Sequence, residues 1–409
     1  MARGLRLTPE EQAMWAGEEG PGVKKAMEIV IALGQIYGAA DLVPIAGAQV
    51  SGVSYKNLGD AGLEFLQEWA AAGARARVPA MLNPAGMDLP NWRELGFPEE
   101  FARQQQAVLA AYIALGITPT CTCAPYLVGF VPRFGQSVAW AESSAVSYAN
   151  SVLGARTNRE GGPSALAAAI VGRTARYGLH LDENRRATAV VEVHCPIRTE
   201  ADLGAVGYLV GRVVQKGVPY FRFSHFDLDW DSPSLKSLGA AMAASGAVAL
   251  YHVEGVTPEA RQEGVVAPDA EPIVLDDLSS GYAALNGSAE GVEEIDLVSL
   301  GCPHASEEEI EAVAAFLDGR RVKAALWITT SRATRQRAEA AGLVARLEAA
   351  GARVVADTCL IVAPVAELGF RTLATNSAKM AFYAPSHSGL AAHFGPMERC
   401  LEAALTGRW

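Results

Sequence analysis

"IDLVSLGCPHASEEEI", residues 295–310, reads as a buried strand, a short loop and a capped helix start. Ile295, Leu297, Val298 and Leu300 dominate the first part, as in a strand covered on both faces. Ser306 and Glu309 have the S-x-x-E spacing of a capping box, which fixes where the helix begins. Two further strand-like runs follow, "VKAALWITTS" at 322–331 and "ARVVADTC" at 352–359. The first two of the three strands lead into helices, at "SEEEIEAVAAFLDG" and "SRATRQRAEAAGLVARLEAAG". Consecutive βα units imply a parallel sheet with right-handed crossovers. Ligands of such sheets gather outside the carboxyl ends of the strands. Cys302 follows the first strand and Cys359 ends the third, so two thiols reach the same edge, which burial alone does not require.

The pattern extends toward the start of the chain. Thr8 caps "PEEQAMWAG", and an amphipathic helix follows to about Gly38. "DLVPIAGAQVSGVSYKNLG" and "RARVPAMLNPAGMD" each read as strand then loop, separated by the helix "DAGLEFLQEWAAAGA". A helix from Phe101 to Gly116 leads into a long run rich in polar residues, aromatics and glycine, the kind of segment that wraps a site. In the middle, "TAVVEVHCPI" and "VPYFRFSHF" read as strands around the helix "TEADLGAVGYLVGRVVQKG", and an acidic loop region extends to about Glu294. The expected class is α/β, with parallel-sheet βα subdomains. Residues 1–409 form one unit made of an N-terminal α/β part (1–180), an inserted α/β part (181–290) and a C-terminal βα subdomain (291–409).

Composition narrows the function. Half of the residues are hydrophobic and 19% are charged, which is a globular balance. A formal charge of −11, without basic patches interleaved with aromatics, argues against nucleic acid and against an anionic membrane surface. The longest near-apolar stretch, "AVLAAYIALGI", is too short to span a bilayer, and the start lacks the apolar core of a signal peptide, so a cytoplasmic chain is expected. No G-x-x-x-x-G-K-[ST] loop is present, which argues against nucleotide chemistry.

Six cysteines are too sparse for a disulfide scaffold. Cys195, inside "VEVHCPI", and Cys400, in the terminal helix "PMERCLEAAL", read as core thiols, whereas Cys302, Cys359 and the pair Cys121 and Cys123 lie in loop contexts. Three thiolates from distant segments can hold zinc with an open position, or three irons of a cubane iron–sulfur cluster whose fourth iron is free for substrate. Spacing does not choose between them.

The stretches "SGVSYKNLG", "MLNPAGMD", "TCTCAPYLVG", "VAWAESSAVSYANSVLGARTNREGGPSAL", "SLGCPH", "ADTCLIV" and "TNSAKMAFYAP" resemble the aconitase X family along nearly the whole chain. The resemblance implies an aconitase-like fold around a 4Fe-4S cluster site, with mononuclear iron or a smaller cluster as the alternative. It implies a hydro-lyase of Lewis-acid iron–sulfur type, acting on a small anionic substrate. Carried over position by position, the metal ligands are Cys123, Cys302 and Cys359; Cys121, two residues from Cys123 and on the opposite side of an extended segment, is a spare or core thiol. The length suggests the large subunit of a phosphomevalonate dehydratase, which turns (R)-5-phosphomevalonate into trans-anhydromevalonate 5-phosphate and water. The large subunit of a cis-3-hydroxy-L-proline dehydratase is the alternative, and a metal-stabilised non-catalytic scaffold is the reading of another class. The chain ends soon after "TNSAKMAFYAP", so the small swivelling domain, with the catalytic base, is expected on a partner subunit. Substrate anchors are expected at Ser51, Gly52, Asn83, Arg156, Asn158, Ser377 and Lys379, with Arg156, Ser377 and Lys379 supporting catalysis. His304 is a candidate for a hydrogen bond to a sulfide or the substrate.

Overall fold

The computed structural model describes residues 4–409. Its third part is built on a five-stranded parallel sheet in the order Ala352–Ala356, Ala325–Thr330, Leu297–Leu300, Thr372–Thr375, Ala391–Phe394. All three strands read from the sequence are present, and two short ones extend the sheet on the far side of Leu297–Leu300. The chain therefore winds outward in one direction, returns, and winds outward in the other. The reversal point lies beside the carboxyl end of Leu297–Leu300, where a doubly wound sheet opens a crevice. Helix Glu307–Leu317 begins with the expected reciprocal capping box between Ser306 and Glu309, an interaction typically worth about 1 kcal/mol. The helix buries Ile310, Val313 and Leu317 in the core of this part.

Three short parallel strands, in the order Ala80–Leu82, Ala48–Val50, Ala139–Trp140, carry the first part. Helix Gly162–Val171 packs here with residues 165–171 all buried. Helix Ser143–Ser151, buried at every residue, lies within the run read as site-wrapping loop: a helix buried all round has no amphipathic period to betray it. Leu42–Pro44 pairs antiparallel with Arg173–Ala175.

The middle part is a four-stranded parallel sheet in the order His252–Val253, Pro219–Phe223, Ala187–Val193, Val266–Leu275. The expected acidic loop is corrected here: residues up to Glu294 contain strand Val266–Leu275 and helix Ser279–Asn286. That strand is the sheet edge, with two prolines and no buried side chain, so it lacks the apolar run of an interior strand. Among the described residues, no helix is long and apolar enough to cross a membrane.

Candidate functional site

The first and third sheets turn their carboxyl ends toward one cavity of ≈ 180 Å³. From the first sheet, Leu82 leads to Asn83, and Trp140 leads through Ala141 to Glu142. From the third, Leu300 leads to Gly301 and Cys302, Ala356 to Cys359, and Thr375 to Ser377 and Lys379. Cys123 arrives in the loop after helix Glu99–Ala114. The cavity is lined by Cys123, Cys302 and Cys359 together with Asn83, Glu142, Lys379 and others. Thus three thiols from remote segments meet. Cys302 and Gly301 also border an adjoining cavity of ≈ 230 Å³ that Ser377 lines.

The loop that delivers Cys302 depends on Gly301. Its φ is +89°, and a Cβ there would stand 2.2 Å from the Thr329 carbonyl oxygen of the neighbouring strand. Only glycine turns the chain so close to that strand. The Cys359 loop is fastened to the first part by a charged clamp. Arg332 reaches Asp88 and Asp357 at 2.5 Å each, and the Ala356 N–H donates to Asp88 at 2.9 Å. The Ala85 N–H donates to the Asp357 carbonyl at 2.8 Å, and the Ser54 hydroxyl to that of Val362 at 2.7 Å.

Lys379 lies in the first turn of helix Ala378–Ser388, which Ser377 caps through the Met380 N–H, so the turn read from "TNSAKM" is a helix start. The Lys379 ammonium pairs with the Glu142 carboxylate and lies 3.4 Å from both the Ser143 and Ser144 hydroxyls. Glu142 caps helix Ser143–Ser151 and accepts from Asn83 Nδ2 at 3.0 Å. Burial opposes its ionisation, but Lys379 with Asn83 and Ser144 holds the carboxyl down at about 2. Burial likewise works against the Lys379 charge, yet the carboxylate raises its pKa above the usual lysine value.

Burial raises all three thiols: Cys359 is pushed up to about 12, with Cys302 adding to the effect, and Cys302 is raised less because Lys379 opposes. These groups are neutral in the metal-free chain and must shed protons to ligate a cation. Soft, deprotonated sulfur suits iron, zinc or an iron–sulfur group. Asn83 Oδ1, on the cavity wall, and Thr358 Oγ1, beside Cys359, are buried without a hydrogen-bond partner. Such orphan polar atoms are uncommon and mark a place for a missing group. The residues therefore fit a thiolate-held metal group. Among the described residues, no three His, Cys, Asp or Glu side chains stand close enough to hold a single ion.

The other expected anchors lie apart from this cavity. Arg156 pairs with Asp182 and donates to the His180 carbonyl at 3.0 Å. Asn158 donates to the Tyr177 carbonyl at 3.0 Å and accepts from the Leu179 N–H at 2.9 Å. Ser51 and Gly52 follow strand Ala48–Val50, but their carbonyls face Tyr112, whose hydroxyl donates to that of Gly52 at 3.1 Å. The cavity takes Arg159 instead, an exposed guanidinium with no carboxylate partner among the described residues. Residues 156–159 run alongside strand Ala139–Trp140, with bridges from Ser137 to Arg156 and from Trp140 to Arg159. On an extended segment alternate residues share a side. Arg156 and Asn158 therefore point together away from the cavity and Arg159 toward it, a signal that the sequence reading passed over. Glu142 was also missed, although its place between a strand and a capped helix start marks it. Cys121 has φ 45° and is fully buried in the core of the first part, as expected of a packing thiol.

Models of the three aconitase X domains match residues 4–183 (first), 187–280 (second) and 295–406 (third). The chain belongs to the aconitase X family. It is 53% identical to a protein named phosphomevalonate dehydratase large subunit, from Methanothermobacter thermautotrophicus, over 94% of this chain and 95% of that protein. It is 39% identical to a cis-3-hydroxy-L-proline dehydratase from Pseudomonas aeruginosa, over 99% of this chain and 71% of the relative. The crystal structure of Thermococcus kodakaraensis aconitase X in its holo form superposes with a TM-score of 0.89 at 46% identity, covering 98% of this chain and all of that one. The aconitase-like fold and the hydro-lyase class follow from these likenesses.

Proposed function

We propose that this chain is the cluster-bearing large subunit of a phosphomevalonate dehydratase, removing water from (R)-5-phosphomevalonate to give trans-anhydromevalonate 5-phosphate. One observation carries the reading: Cys123, Cys302 and Cys359 border one cavity in a chain 53% identical, over nearly its whole length, to a protein of that name. Lower identity to the hydroxyproline enzyme makes that substrate the second choice.

The three cysteines would hold a 4Fe-4S cluster. When bound, such a group supplies a Lewis acid that polarises a substrate hydroxyl and carboxylate. The chain's own residues do the rest. Arg159, at the wall and without a carboxylate partner among the described residues, holds the substrate phosphate or carboxylate through paired N–H donors. Lys379 carries a fixed positive charge between the thiols and Glu142, where it balances thiolate charge and faces a substrate oxyanion. Glu142 holds that ammonium in place, and Asn83 offers its free Oδ1 as an acceptor for a hydroxyl or water. Ser377 reaches Cys302 from the helix cap. The base that removes the C2 proton belongs to a small partner subunit carrying the swivelling domain, and the two subunits work as a cytoplasmic complex.

The test is assay of the anaerobically reconstituted chain with the matching small subunit on both substrates. Turnover of phosphomevalonate with iron and acid-labile sulfide in nearly equal amounts is expected. Turnover of cis-3-hydroxy-L-proline alone would replace the substrate, and zinc or iron without sulfide would replace the cluster.

A further inference from the structure

His304 lies two residues beyond Cys302, does not line the cavity, and is 1% exposed. Its four polar atoms are committed to three other segments of the chain. Its backbone N–H donates to Cys123 Sγ at 3.2 Å. Its ring Nδ1 lies 3.0 Å from Thr122 Oγ1, beside Cys123 in sequence. Its ring Nε2 lies 3.0 Å from the Thr358 carbonyl, beside Cys359. Its own carbonyl accepts from Lys236 Nζ at 3.1 Å. One residue therefore joins the loops of all three thiols.

The proton positions follow from the partners. The Thr358 carbonyl can only accept, so Nε2 carries the hydrogen and Nδ1 is left as an acceptor. The Thr122 hydroxyl then donates to Nδ1, while its oxygen accepts from the Ala124 N–H at 3.1 Å. The donors and acceptors chain from Ala124 through Thr122 and His304 to Thr358 without a conflict. A second ring of partners of this kind orients metal ligands, and its loss typically costs about 10- to 100-fold in metal affinity.

We infer that His304 is the positioning residue that clips the Cys123, Cys302 and Cys359 loops into one wall, and that it sets how tightly the sulfur-held group is retained without touching substrate. The inference rests on the reading of those thiols as ligands only for its metal readout. The geometry of the clip exists in the metal-free chain.

His304→Phe keeps a ring and loses both side-chain bonds. His304→Gln places a donor near the Nε2 position, and His304→Asn an acceptor near the Nδ1 position. The full chain is loaded anaerobically with ferrous iron and sulfide, and iron release to a ferrous chelator is timed. His304→Phe is expected to release iron about 10- to 100-fold faster, with His304→Gln and His304→Asn between it and the parent. In parallel, the metal-free chains are alkylated with iodoacetamide and each cysteine is followed by mass spectrometry. Cys123 and Cys359 should react faster in His304→Phe, while Cys195 and Cys400 keep their parent rates, which general loosening of the fold would not allow. If His304→Phe does not fold, His304→Gln carries both measurements. Unchanged alkylation of Cys123 and Cys359 would overturn the clip, as would iron release at the parent rate from loaded chains. A parent chain that takes up no iron would defeat the ligand reading, and alkylation alone would then decide the clip.

Discussion

Replacing Lys379 by Met removes the cation paired with Glu142 and leaves its carboxyl buried among hydroxyls and an amide. In the parent, that carboxyl is held at about 2, against an ordinary 4.5. At about 1.4 kcal/mol per tenfold change in acidity, the difference corresponds to about 3 kcal/mol of folded-state stabilisation. Removing one partner of a buried pair typically costs about 3–5 kcal/mol, so the two lines of reasoning agree. The pH dependence has a definite sign. In the parent, the contribution is complete above the unfolded value near 4.5 and is lost as pH falls through about 2. Without the lysine, burial dominates and the carboxyl titrates above its ordinary value, so the folded variant takes up a proton on acidification and regains stability. Urea unfolding of the metal-free chain should therefore show Lys379→Met weaker by about 3 kcal/mol near pH 8 and by clearly less near pH 5. The double variant Lys379→Met/Glu142→Gln should recover at least about half of the loss, because a neutral amide needs no counter-charge. A deficit that grows on acidification, or a double variant no better than the single one, would refute the argument.

Serine at Cys123, Cys302 or Cys359 should remove iron and sulfide from anaerobically loaded chain, whereas serine at Cys195 or Cys400 should spare both; metal analysis of the five variants checks this. Arg159→Gln should lower kcat/KM for the phosphorylated substrate by roughly 10- to 150-fold, the equivalent of about 1.5–3 kcal/mol for hydrogen bonds to a charged group, with an unchanged melting temperature. Arg332→Met leaves Asp88 and Asp357 buried without their cation and should destabilise the chain by roughly 3–5 kcal/mol, read in chemical unfolding.

What the sequence disclosed depended on how local the governing interaction is. The capping box at Ser306 and Glu309 and the buried strand before Cys302 are set by neighbours within a few residues, and both lie where the pattern puts them. The expectation that Cys302 and Cys359 reach one sheet edge follows from consecutive βα units, and the structure has that edge. The edge strand Val266–Leu275 escaped because its partner lies almost eighty residues earlier and solvent covers much of it, leaving no apolar alternation. The choice of Arg156 over Arg159 turned on which side of an extended segment faces inward, and only the tertiary bridges to Ser137 and Trp140 settle that. His304 was noted for a sulfide or the substrate. Its ring is instead tied to Thr122 and Thr358, partners far away in sequence.

His304 and Cys123, which touch in the finished molecule, are 181 residues apart along the chain. Cys359 follows a strand that must first find its place in the third sheet. During synthesis the emerging polypeptide therefore has no assembled sulfur set until the final quarter of the chain has left the ribosome and docked. On the proposed ligand reading, loading with metal is in this way a late event that reports completed long-range folding. On that same reading, a stalled or truncated product lacking that strand would carry loose thiols and take up no iron.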